Sequence, residues 1–116
     1  MRARLQQIVV DSHDPARLVR FWAELLGGEP VDRELGWSHV EPPESPRMSF
    51  QPVPEGKTIK NRLHLDVRVD DVEAAAVRCE GLGATRVGGL VVDESGAFQV
   101  LLDPEGNEFC LVVPAA

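Results

Sequence analysis

The sequence predicts an α+β fold of two βαβββ modules, forming a curved eight-stranded mixed sheet around a cleft with the helices outside. Three observations carry this. The chain repeats itself with an offset of 57, which lays Gln7 on His64 and Asp14 on Asp71. Each aspartate closes an alternating stretch and opens an amphipathic one: Leu18, Phe21, Trp22 and Leu25 stand at i, i+3, i+4 and i+7, as do Val72, Ala75, Ala76 and Cys79. Each amphipathic stretch then runs into glycine, at Gly27-Gly28 and at Gly83, where a left-handed C-terminal residue is wanted.

In chain order, the first strand is expected over Leu5–Asp11, with Ile8 and Val10 on one side and Gln7, Val9 and Asp11 on the other. Asp14-Pro15 starts the first helix: the carboxylate accepts from free amides, and the ring presets φ for the first turn. The helix runs to about Leu26. Short extended segments follow near Glu29–Asp32, Trp37–Glu41 and Met48–Val53, parted by turn chemistry at Glu34–Gly36 and Pro42–Pro46. Pro54–Lys60 has no apolar pattern and joins module one, about 5–53, to module two, about 62–113.

Module two opens on Arg62–Asp71. Leu63, Leu65, Val67 and Val69 alternate with His64, Asp66 and Arg68, the pattern of a half-buried strand whose other side carries an imidazole, a carboxylate and a guanidinium. A helix from Asp71 to about Leu82 is followed by extended pieces near Thr85–Val87, Leu90–Val92, Ala97–Leu102 and Glu108–Val113. Leu90–Val92 and Ala97–Leu102 read either as one strand interrupted by the turn Asp93–Gly96 or as two. Asp103–Asn107 is a hairpin turn, whose acids are read as turn formers rather than ligands.

Composition narrows the function. With 116 residues the chain is read as a single domain, 1–116, because modules of about fifty residues are marginal alone and must share a core. The net charge of −7 opposes binding to nucleic acid or an anionic membrane surface. Two cysteines and no secretory h-region suggest a reduced, cytoplasmic protein.

Asp-Pro-Ala-Arg-Leu-Val-Arg-Phe-Trp-Ala-Glu-Leu-Leu-Gly at 14–27, Lys-Asn-Arg-Leu-His-Leu-Asp-Val at 60–67 and Asp-Pro-Glu-Gly-Asn-Glu-Phe-Cys at 103–110 resemble the glyoxalase-like branch of the vicinal oxygen chelate superfamily, which includes bleomycin-resistance proteins. The match spans nearly the whole chain, and it specifies the fold more than the activity. The resemblance implies a divalent metal held by inward residues of the first and last strand of each module. Carried over, those places fall on Gln7, Gln51, His64 and Cys110, the internal repeat pairing Gln7 with His64 and Gln51 with Cys110. Gln51 and Cys110 replace both carboxylates, so a hard cation such as Mg²⁺ or Mn²⁺ lacks anionic donors. Glyoxalase I activity, which needs those glutamates, is not expected.

The expectation is a small-molecule-binding domain with a polar cleft lined by Gln7, Val9, Asp11, Trp37, Gln51, His64, Asp66, Arg68 and Cys110, and with no tightly bound metal or other cofactor. The alternative is an enzyme, a lyase, isomerase or transferase, with His64 as catalytic acid or base and an atypical divalent metal site. The linker Pro54–Lys60 allows either a closed monomer or a side-by-side homodimer, and the dimer is preferred because two-fold pairs are the commonest assemblies.

Overall fold

The computed structural model describes residues 1–115, which divide into two compact units that meet between Gly56 and Lys57. In the first unit β1 (Gln7–Ser12) leads into α1 (Pro15–Leu26), then β2 (Val31–Asp32), a single helical turn at Glu34–Gly36, β3 (Ser38–Val40) and β4 (Arg47–Pro52). The sheet order is β1-β4-β3-β2, with β1 parallel to β4 and the other pairs antiparallel. Asp14 caps α1 by accepting the Arg17 amide at 3.3 Å, and Pro15 opens the first turn as its fixed φ predicts. Leu18, Val19, Phe21 and Trp22 are buried on α1, and Val40, Met48 and Phe50 on the strands it packs against. Phe21 and Trp22 meet edge to face at 5.5 Å.

The second unit repeats the plan with β5 (Leu65–Arg68), α2 (Val72–Gly81), β6 (Thr85–Asp93), β7 (Gly96–Leu102) and β8 (Glu108–Pro114). Its order, β5-β8-β7-β6 with β5 parallel to β8, copies the first. Asp71 caps α2 through the Ala74 amide at 3.0 Å, the counterpart of Asp14. The eight expected strands are thus present as two mixed four-stranded sheets, each with its helix on one face. Cys79 is buried on α2 and is a packing residue, its thiol pushed up by desolvation. No helix among the described residues is long and apolar enough to cross a membrane.

Two segments depart from the sequence reading. β5 is shorter than the alternation suggests: Leu63 lies outside it and is 68% exposed, so burial does not extend to the start of the pattern. Leu90–Val92 belongs with Thr85–Val87 in one strand, and Asp93–Gly96 turns it into β7. The continuity was hidden by a bulge. Val87 pairs with Val100 and Val91 with Phe98, so Gly88, Gly89 and Leu90 stand opposite Gln99 alone, and Gly88 takes φ +69°.

Gln99 is what completes the bulge. It is fully buried, and its amide donates to the carbonyls of Gly88 at 3.1 Å, Val87 at 3.5 Å and Val100 at 3.0 Å, while its oxygen accepts from Arg86. Arg86 in turn pairs with Glu73 and Glu80, tying β6 to α2. Leucine at position 99 has nearly the same volume but leaves these carbonyls without that donor. Gln99→Leu is expected to lower stability by about 2 kcal/mol in urea unfolding. Retention of the wild-type midpoint would show that the bulge does not depend on this amide.

Candidate functional site

Strand alternation sends one set of side chains under each helix and the other set to the opposite face of the sheet. In the second unit Phe109, Leu111, Leu101 and Gln99 are fully buried members of the first set. The opposite face carries Asp66 and Arg68 of β5, Cys110 and Val112 of β8 and Phe98 of β7. Register places Asp66 beside Cys110, Arg68 beside Val112 and Val112 beside Phe98. With His64, Ser95, Ala97, Val113 and Pro114 they line a cleft of about 400 Å³. One wall is polar and the other apolar, because β5 and the residue just before it supply Asp66, Arg68 and His64 while β7 and β8 supply Phe98, Val112 and Pro114.

His64 precedes the paired part of β5, and its Nε2 lies 3.4 Å from Asp66 Oδ1. Residues two apart in a regular strand point the same way but stand about 6.7 Å apart along it; release from the ladder lets the imidazole turn to its neighbour. Cys110 is buried between them and β7, and its thiol is pushed up by desolvation first, then by the charges of Asp66 and Glu108 and by a hydrogen bond with Asp66. It is therefore a neutral thiol at pH 7, not a poised nucleophile. Ligand atoms of His64, Asp66 and Cys110 all lie within 4.8 Å of one another. Glu108, next along, is engaged by Lys60 at 2.5 Å, which holds its carboxyl below the usual range.

In the first unit the corresponding face holds Gln7, Val9 and Asp11 of β1, Ser49 and Gln51 of β4 and His39 of β3. Trp37 stands just before β3, with the Arg33 guanidinium 5.8 Å from its ring centroid. Ser49 is fully buried and donates its hydroxyl hydrogen to Gln7 Oε1 at 2.6 Å. Asp11 pairs with Gln51 one step further along. His39 Nδ1 is buried without a hydrogen-bond partner, and desolvation, helped by Arg47 and Arg33, holds this imidazole below its ordinary value.

The register corrects one sequence inference. With Gln7 matched to His64, Val9 matches Asp66; Val9 pairs with Ser49 and Asp66 with Cys110. Ser49, not Gln51, is therefore the counterpart of Cys110, and Gln51 is the counterpart of Val112. Similarity of Phe50-Gln51 to Phe109-Cys110 misled the alignment by two residues. A two-residue slip keeps every side chain on its own face, so alternation cannot reveal it.

Sequence reasoning named His64, Asp66, Arg68 and Cys110, which the second unit brings together; it named Gln7, Val9, Asp11, Gln51 and Trp37, which lie in the first. It missed Ser49 and the apolar wall of Phe98, Val112 and Pro114. Val112 stands two residues from Cys110 on β8 and pairs with Phe98 on β7, a signal available only once the strands are paired.

The Glyoxalase-like domain family profile matches residues 7–112. Among solved structures, a glyoxalase/bleomycin resistance protein/dioxygenase family enzyme from Burkholderia phytofirmans PsJN superposes with a TM-score of 0.80 at 18% identity, covering 95% of this chain and 98% of its own. Oxidase ChaP-H2 gives 0.74 at 22% identity over 100% and 98%. A bleomycin resistance determinant encoded on the transposon Tn5 gives 0.67 at 19% identity over 98% and 100%. No curated protein matches the chain. Two βαβββ units, the matched profile and these shared folds place the chain in the glyoxalase-like domain family of the vicinal oxygen chelate superfamily.

Proposed function

We propose that the chain is a small-molecule-binding glyoxalase-like domain, and that the second-module cleft takes a compact ligand with an apolar body and an anionic head. The observation that carries this is the division of a cleft of about 400 Å³ into an apolar wall at Phe98, Val112 and Pro114 and a polar wall at His64, Asp66 and Arg68. Its size falls within the usual span for small-ligand sites. Arg68 offers a planar fork of donors that matches a carboxylate, and Phe98 offers a ring face for the body.

Calorimetric titration with a panel of aromatic carboxylates, and with their neutral amides, tests the reading. Carboxylates should bind more tightly than amides, and Arg68→Ala should weaken carboxylates by about tenfold, the loss of one charge-assisted hydrogen bond, while leaving the amides unchanged. Equal affinity for both series, or none for either, would overturn it.

The convergence of His64, Asp66 and Cys110 favours a second reading, an enzyme of lyase, isomerase or transferase type in which His64 moves a proton and Asp66 orients it. Loss of turnover in His64→Gln with retained ligand affinity would separate it from binding alone. In either reading the two modules act as one domain in a cytoplasmic homodimer. Sedimentation showing a monomer at all concentrations would remove the dimer.

A further inference from the structure

The fold family's divalent ion is the natural group to test against the second module, and the donors there select among ions. A hard cation wants several oxygen ligands in near-octahedral array, and His64, Asp66 and Cys110 offer one oxygen-bearing group, one imidazole and one sulfur. Borderline and thiophilic ions want that mixture. Sequence alone left the set short of an anion; the register supplies it, by setting Asp66 directly beside Cys110 across the β5–β8 pair.

We propose that His64, Asp66 and Cys110 form a three-donor site for a thiophilic divalent ion of the zinc type, built wholly within the second module, and that this chain has exchanged the family's carboxylate set for a sulfur-containing one. The inference goes beyond the ligand-binding reading and does not require it.

The distances suit the proposal. In a tetrahedral zinc site with bonds of about 2.0 Å to nitrogen and oxygen and 2.3 Å to sulfur, the N···O edge is about 3.3 Å and the edges to sulfur about 3.6 Å. His64 Nε2 and Asp66 Oδ1 already stand 3.4 Å apart, and all three donors lie within 4.8 Å. Closing the set therefore needs movement of no more than about 1.2 Å at the sulfur edges, within reach of side-chain rotation at the two exposed residues. Cys110 is buried and held on both sides by strands, so it would be the fixed member, while His64 and Asp66 adjust. As the sulfur–metal bond forms, the thiol proton leaves to solvent, and the remaining thiolate and Asp66 carboxylate together balance the charge of the ion. Three protein donors leave a fourth position for water.

The test is titration of the full chain, first stripped with a chelator, with Zn²⁺, Co²⁺ and Mg²⁺. Expected are submicromolar affinity for Zn²⁺, at least a thousandfold preference over Mg²⁺, and a near-ultraviolet thiolate-to-cobalt charge-transfer band on adding Co²⁺. Cys110→Ser should abolish the band and weaken Zn²⁺ at least a hundredfold. Asp66→Asn, a near-isosteric change on a side chain that is 61% exposed, should weaken Zn²⁺ while keeping the band, so a Cys110 variant that fails to fold leaves a second arm. Zinc binding that Asp66→Asn and His64→Ala leave unchanged, or a cobalt complex without the sulfur band, would overturn the proposal. Carboxylate binding is titrated separately in chelator: its presence there supports the ligand-binding reading whatever the metal does, and its absence there leaves the metal result standing.

Discussion

Replacing Gly96 by alanine is expected to remove most of the stability of the second module. Gly96 opens β7 with φ +129°, a conformation that side chains avoid, and a β-carbon there would stand 2.1 Å from the Val113 carbonyl oxygen, 2.8 Å from the Ala115 nitrogen and 2.9 Å from the Pro114 carbonyl carbon. All three are backbone atoms, so no side chain can rotate aside. Relief requires β8 to move away at the Gly96–Pro114 pair, which breaks the end of the β7–β8 ladder and the bond from the Ala115 amide to the Ser95 carbonyl. Backbone strain and lost hydrogen bonds together should cost about 3–5 kcal/mol, a large part of the 5–15 kcal/mol typical of a small domain. Urea denaturation followed by circular dichroism measures it. Ser95, Ala97 and Pro114 also line the cleft, so ligand affinity should fall in the same variant. A midpoint equal to wild type would mean that the strand end relaxes freely.

How much of this was legible in the sequence follows from what each signal encodes. Helix starts were readable because a cap is local: Asp14 and Asp71 act on amides three residues away. Strand identity was readable from alternation, but alternation has period two and says nothing about which residue of the partner stands opposite. For that reason Gln51 was laid on Cys110 when Ser49 belongs there. The bulge at Gly88–Leu90 broke the pattern of β6 into two apparent pieces, and the residue that repairs it, Gln99, lies on another strand. The closeness of Asp66 to Cys110, forty-four positions away, was likewise a property of register. Chemistry was legible one residue at a time; proximity was not. What the sequence did carry for the site was the row His64, Asp66, Arg68, since three polar side chains on one side of an otherwise apolar strand require a wet or functional face.

The second large effect falls on Asp103, where the sequence offered a choice between a ligand and a turn former. The side chain is 3% exposed, and Oδ1 accepts the amides of Glu105 and Asn107, each at 2.9 Å, and the Asn107 side-chain amide at 3.2 Å; Oδ2 accepts that same amide at 3.0 Å. Backbone bonds from Asp103 to the Asn107 carbonyl and from Gly106 to the Asp103 carbonyl close the turn around it. Asn61 extends the network, donating to Asn107 Oδ1 at 3.4 Å and accepting the Glu108 amide at 3.1 Å, so the turn also positions the segment that leads into β5. A carboxylate occupied in this way is structural. Asp103→Ala leaves two partly buried amides without an acceptor and should cost about 3 kcal/mol, since hydrogen bonds to a charged group exceed neutral ones and unmade bonds carry the full desolvation penalty. Asp103→Asn keeps one oxygen in place but exchanges the other for a donor that faces the Asn107 amide, so it should recover only part of that loss. Unfolding midpoints of the three proteins check the order: wild type, then asparagine, then alanine. Ligand and metal affinities measured below the transition should be unchanged in Asp103→Asn. A large loss of affinity with an unaltered midpoint would reverse the assignment and make Asp103 part of the site.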